Sequence, residues 1–228
     1  MRVVSLVPSV TETLLSWGVT PVAVTRYCEQ PGLPAVGGTK DPDVDAVVAL
    51  RPDLVVLNDE ENRLDDAEAL GAAGLSVHVL TIDSVEDVAP ALAGLRTRLG
   101  LPDAAPAGEL PAPLPPRLRA FVPVWRRPWM TMHGGTYGSS LLARLGVTNV
   151  FAGDADRYPT VTLEEAAARS PDVVLAPSEP YPFTERQRPE LEAVAPFVRV
   201  DGQDLFWWGS RTPAALERLG RQLAQLEP

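Results

Sequence analysis

Short apolar runs of strand length alternate with helically spaced segments along this chain, and a proline-rich stretch breaks the alternation once, near the middle. Before the break, Val3–Val7, Pro21–Val24, Leu54–Leu57 and Val77–Leu80 have the length and β-branched character of strands. Thr11–Trp17, Val44–Leu50, Asp65–Ala73 and Val85–Leu99 carry apolar residues at helical spacing. Strands interleaved with helices imply parallel pairing through right-handed crossovers. After the break the rhythm resumes, with strands predicted at Arg119–Val124, Val173–Ala176 and Phe197–Val200. Helices are predicted at Tyr137–Leu145, Leu163–Arg169 and Pro213–Leu226, the last with Thr212 as its N-cap.

The break itself, residues 101 to 116, holds six prolines, which remove backbone donors and disfavour helix at each preceding residue. It reads as a stiff, extended connector. The expected architecture is therefore α/β: an N-terminal lobe over residues 1–100, a connector over 101–118 and a C-terminal lobe over 119–228, each lobe a parallel sheet flanked by helices. Lobes of about 100 residues are large enough to bury their own cores. Two such lobes on one connector suggest a ligand cleft between them.

Composition excludes several alternatives. A net charge of -10, with Lys40 the only lysine, argues against a nucleic-acid partner. No apolar run approaches the roughly 18 residues of a membrane span, so no integral membrane segment is expected. Cys28 is the only cysteine, so no intrachain disulfide can form. The first strand starts at residue 2, leaving no room for a signal peptide, and as it stands the sequence reads as cytoplasmic. A true start lying upstream would make the protein periplasmic or extracellular.

In open parallel sheets, ligands bind beyond the carboxyl ends of the strands. The residues placed there are Pro8, Ser9 and Thr11, then Arg26, Tyr27 and Cys28, then Asn58 to Arg63. In the second lobe they are Trp125, Trp129 and His133, then Glu179, Tyr181 and Phe183, and finally Phe206, Trp207 and Trp208. Aromatic rings at such positions suit a broad, partly apolar ligand fixed by a few polar groups. His133, in Met132-His133-Gly134-Gly135, is a candidate metal or cobalt ligand, and His78 inside a strand pattern is a structural residue. Cys28 reads as a soft ligand or a buried, inert thiol. Asp59-Glu60-Glu61-Asn62-Arg63 reads mainly as helix capping and solvated charge, with metal or partner contact as the alternatives. No Gly-x-Ser-x-Gly, Walker, Gly-x-Gly-x-x-Gly or His-Glu-x-x-His motif is present, so no catalytic residues are assigned.

The sequence resembles the periplasmic binding proteins for cobalamin, ferric siderophores and haem, the helical-backbone metal receptors, and within them the cobalamin-binding branch. The resemblance is carried by Val3–Glu12, Gly18–Val24, Gly37-Gly38-Thr39, Val44–Asn58 with Leu50-Arg51-Pro52-Asp53-Leu54 at its centre, and Ser170–Val174. It implies a two-lobed class III binding-protein fold, with cobalamin or another metal chelate as ligand rather than as a reactant. Tyr27 falls where the family sets an aromatic against the corrin, and Trp207 or Trp208 falls at the facing position. The expected ligand-binding set is Pro8, Ser9, Tyr27, Asn58, Trp129, His133, Tyr181, Trp207 and Trp208.

The resemblance further implies docking onto an ABC permease through an acid on each lobe. Glu60 and Glu61 supply the first, whereas Gly209 stands at the second position. The family's long inter-lobe helix is also at odds with the prolines, unless it is shortened to Val85–Leu99. Two alternatives to a cytoplasmic binder follow: an enzyme using Glu60, Glu61, His133 or Glu179, and an exported solute receptor of an ABC transporter.

Overall fold

Among the described residues, eight strands and nine α-helices are laid down in two rounds of the same plan. A computed structural model of the chain describes residues 1–30, 32–102 and 110–226, so part of the expected connector, residues 103–109, lies outside the described residues. The first round contains β1 (Val3–Ser5), α1 (Pro8–Ser16), β2 (Ala23–Val24), α2 (Val44–Leu50), β3 (Leu54–Asn58), α3 (Leu64–Ala72), β4 (Val77–Leu80) and α4 (Val85–Arg98). The second contains β5 (Leu118–Phe121), α5 (Tyr137–Arg144), β6 (Val147–Asn149), α6 (Leu163–Ala168), β7 (Val173–Pro177), α7 (Arg188–Leu191), β8 (Phe197–Val200), α8 (Gly202–Phe206) and α9 (Thr212–Leu223).

Each round closes one four-stranded, wholly parallel sheet, in the orders β2-β1-β3-β4 and β6-β5-β7-β8. The central strands β3 and β7 are buried along their whole length, as parallel sheets covered on both faces require. Val4, Leu6, Val55, Leu57, Val47 and Leu70 form the first core. Phe121, Phe151, Val174, Phe183, Leu191 and Phe197 belong to the second.

Two compact units result. The first is Met1–Ile82 with Glu86–Ala107 and Trp208–Ser210, and the second is Asp83–Val85, Gly108–Trp207 and Arg211–Pro228. The short segments Asp83–Val85 and Trp208–Ser210 thus depart from a simple division in chain order.

Local chemistry sets the element ends. Val7 is extended, as a residue before proline should be, and Pro8 opens α1 at its first position. Asp43 caps α2 by accepting from the Ala46 amide. Thr162 and Glu165 form a reciprocal capping box on α6. The closing helix begins one residue earlier than the sequence suggests: Thr212 is its first residue, and its hydroxyl lies 3.0 Å from the Tyr137 hydroxyl rather than capping the helix. Among the described residues, no helix is long and apolar enough to cross a membrane.

Candidate ligand site

The carboxyl edge of the first sheet is shaped by two asparagines. Asn58, ending β3 and 1% exposed, donates to the Leu80 carbonyl and accepts the Glu60 and Glu61 amides at 3.2 and 3.0 Å. Its side chain thus holds the turn. Asn62 donates to the carbonyls of Leu6 and Thr39 and accepts the Asn58 amide, tying three loops together. The helix-capping role expected of this cluster is not what the structure shows: Arg63 is the N-cap of α3 and makes no side-chain cap bond.

The turn presents Glu60 and Glu61, and the Lys40 ammonium donates to the Glu60 carbonyl. Glu61 is exposed along its side chain, yet loss of solvent around its carboxyl pushes its pKa above the ordinary range. Glu60 pushes the same way and Lys40 opposes.

Tyr27, beyond β2, is 54% exposed. Arg26 lies 5.0 Å from its ring centroid, donates to its hydroxyl at 3.3 Å and is bound by both Asp41 oxygens at 2.8 and 2.9 Å. Gly38 makes that pairing possible, since a Cβ there would stand 2.3 Å from the Asp41 carboxylate and 2.8 Å from the guanidinium. Cys28 is half-buried, with its sulfur 3.3 Å from the hydroxyls of both Thr11 and Thr25. Pro8 and Ser9 are buried at the start of α1, where the Ser9 carbonyl accepts from the Thr13 hydroxyl. Both side chains are buried.

The carboxyl edge of the second sheet is aromatic. Trp125 meets Tyr181 edge-on at 5.7 Å, Tyr181 tilts against Phe183 at 4.7 Å, and Phe183 stacks on Trp129 at 6.0 Å with 8° between planes. Phe183 is buried and anchors the array in the core, whereas Trp125 is 45% exposed. Arg126 lies 5.7 Å from the Trp129 centroid and is gripped by both oxygens of Glu190.

His133 is half-buried, and its Nδ1 accepts the Gly135 amide at 2.6 Å, which leaves Nε2 as its remaining ring nitrogen. Among the described residues, no three His, Cys, Asp or Glu side chains gather as they would around a free metal ion. Trp207 caps the end of α8 half-buried, with the Arg211 guanidinium 5.1 Å from its ring. Trp208 is 5% exposed and belongs to the core, so of the two adjacent tryptophans only Trp207 keeps an accessible ring. Beneath Trp207, the buried Asp204 carboxylate accepts from Arg211 and twice from Arg218. These Arg–carboxylate supports escaped the sequence reading, although an arginine beside Trp125 and another four residues after Trp207 were visible signals.

Gly209, expected at a docking position, is buried with φ of +121°, and a Cβ there would lie 2.2 Å from the Thr13 hydroxyl. Packing, rather than loss of function at an open surface, excludes an acid from this position.

The sequence model of the periplasmic binding protein family matches residues 3–106. The vitamin B12-binding protein of Salmonella typhimurium is 27% identical over 195 residues, covering 76% of this chain and 71% of its own. That of Pectobacterium carotovorum is 24% identical across 100% of this chain and 90% of its own. Over residues 3–106 the chain is thus similar to periplasmic binding proteins. Solved structures share the fold: the periplasmic haem-binding protein BhuT in complex with two haems superposes with a TM-score of 0.80 at 24% identity, covering 98% of this chain and 97% of that one. The periplasmic vitamin B12-binding protein BtuF of Vibrio cholerae gives 0.76 at 19% identity, covering 98% and 96%.

The relatives and solved structures are named as binding proteins, which favours a binding protein over an enzyme. The catalytic alternative for Glu60, Glu61, His133 and Glu179 is thereby set aside. The solved relatives are named as periplasmic, so the expectation of a cytoplasmic protein finds no support among them.

Proposed function

We propose that this chain binds a corrinoid or a related flat metal chelate, such as haem, as the solute receptor of an ABC-type importer. The observation that carries the reading is the Trp125–Tyr181–Phe183–Trp129 array, anchored in the core at one end and open to solvent at the other. The vitamin B12-binding and haem-binding relatives set the class of ligand. Trp207 and the open part of the array supply ring surface for a macrocycle on the second unit, and Tyr27 is the exposed ring proposed for the first. The Nε2 of His133 suits the axial position of a metal whose other positions the chelate already fills, a role that needs one donor rather than a cluster.

Glu60 and Glu61 are the proposed docking acids for the permease, and the relatives support a working location outside the cytoplasmic membrane. Cell fractionation would check the location, and reversing both acids to arginine should abolish co-purification with a permease while sparing ligand binding.

Titration of the purified protein with cobalamin and with haem should give a saturable spectral change with at least one of them. Tyr27→Ala and Trp207→Ala should each weaken it about tenfold, in line with the loss of one aromatic contact. Absence of binding to both at high micromolar concentration would sink the proposal.

A further inference from the structure

The loop beyond β5 turns back on itself as a short hairpin. Met130 donates to the Trp125 carbonyl at 3.1 Å, and its own carbonyl accepts from Val124 at 2.8 Å. Two arginines stand side by side at the tip, in contrasting states. Arg126 is neutralised by Glu190 and shielded against Trp129. Arg127 is exposed and, among the described residues, no acid or carbonyl takes its guanidinium. This occurs in a chain with 30 acidic residues against 20 basic ones, where acids are in ample supply.

The backbone makes the choice of residue more pointed. Arg127 has φ of +72°, a conformation that glycine or asparagine adopts with less strain. A bulky cation held there, without a protein partner and two residues from the exposed Trp125, is badly placed for stability and well placed for a ligand. Trp125 offers ring surface to a flat chelate, and Arg127 offers charge next to it.

We infer that Arg127 reads an ionised oxygen group, carboxylate or phosphate, on the rim of the bound chelate. The inference rests on the chelate-binding reading above and narrows it to ligands carrying such a group near the Trp125 hairpin. A guanidinium matches both groups because its planar fork can donate two parallel hydrogen bonds.

Two ligand pairs test this and separate the sources: cobalamin against cobinamide, which lacks the phosphodiester, and haem against its dimethyl ester, which masks both carboxylates. Dissociation constants would be measured for the parent protein and for Arg127→Gln, Arg127→Gly and Arg127→Lys. Gln and Gly should weaken the anionic member of one pair by about 3- to 10-fold and leave the masked member unchanged, as expected for a partly exposed charge-assisted contact.

Lys should keep part of the affinity, through charge without the fork, and the Gly variant should melt no lower than the parent, which distinguishes a lost contact from a damaged fold. An effect confined to the cobalamin pair assigns phosphate, and one confined to the haem pair assigns carboxylate. Equal losses for both members of each pair, or none, overturn the inference. Failure of the parent protein to bind any of the four brings down the chelate reading itself, and this inference with it.

Discussion

The indole of Trp129 lies nearly parallel to the ring of Phe183, whereas Trp125, four residues earlier, meets Tyr181 edge-on and keeps much of its surface in solvent. One aromatic loop thus divides, with Trp129 covering the core and Trp125 keeping open the ring surface proposed for the ligand. Trp129→Ala should cost about 2–3 kcal/mol of stability by opening a cavity over Phe183. Trp125→Ala should cost less than about 1 kcal/mol yet weaken chelate binding. Urea denaturation alongside ligand titration checks both, and a Trp125 variant that unfolds as readily as the Trp129 variant would contradict the division.

Gly209→Ala should destabilise the protein by about 2 kcal/mol or more, because the left-handed backbone and the Thr13 hydroxyl both resist a side chain. Thermal melting measures this directly. An unchanged melting temperature would mean that the Thr13 contact gives way freely.

Asp204→Ala should be among the more damaging single changes, at about 2 kcal/mol, since it strips the largely buried Arg211 and the exposed Arg218 of a common buried carboxylate. It should also alter the near-ultraviolet dichroism of Trp207, whose ring lies against Arg211. Replacing Asp204 and Arg218 together by apolar residues should recover part of the loss.

His78 should make the fold sensitive to mild acid. Burial first, and Arg98 second, hold its pKa below the ordinary 6.5, so the folded state favours the neutral ring. The unfolded chain takes up a proton near 6.5, and the folded chain only at lower pH. Stability from this group is complete above 6.5 and drains away as pH falls through 6.5 towards the folded value. His78→Val should therefore flatten the fall in melting temperature between pH 7 and about pH 5. It should also gain about 1 kcal/mol at neutral pH by removing the buried Nε2, which has no hydrogen-bond partner among the described residues.

Much of the fold was legible because its signals are periodic and local. β3 and β4 are apolar runs bounded by turn residues, and α2 is framed by Asp43 and Pro52, so pattern alone located them. Three labelled elements escaped: β6 has three residues directly after a helix, α7 is a single four-residue turn, and α8 is a five-residue helix beside two tryptophans that read as a loop. The site was harder. Sequence order placed the aromatics on the right edges, but nothing in Trp207-Trp208 tells which ring is buried, since irregular backbone has no period to consult. Pairings such as Arg126 with Glu190, 64 residues apart, depend on which strands become neighbours, and no local pattern encodes that.

Both sheets run through the same sequence of neighbours, second strand, first, third, fourth. Each ladder is complete in itself, so its hydrogen bonds place no demand on the chemistry of the loops at its end. One edge has become acidic and amide-rich, with a single lysine among carboxylates, and the other has become a row of indole and phenyl rings braced by guanidinium groups. A repeated frame of this kind leaves the two surfaces free to change separately. Exchange of ligand would be achieved by rewriting the loops after β5 and β7, with every strand left as it is.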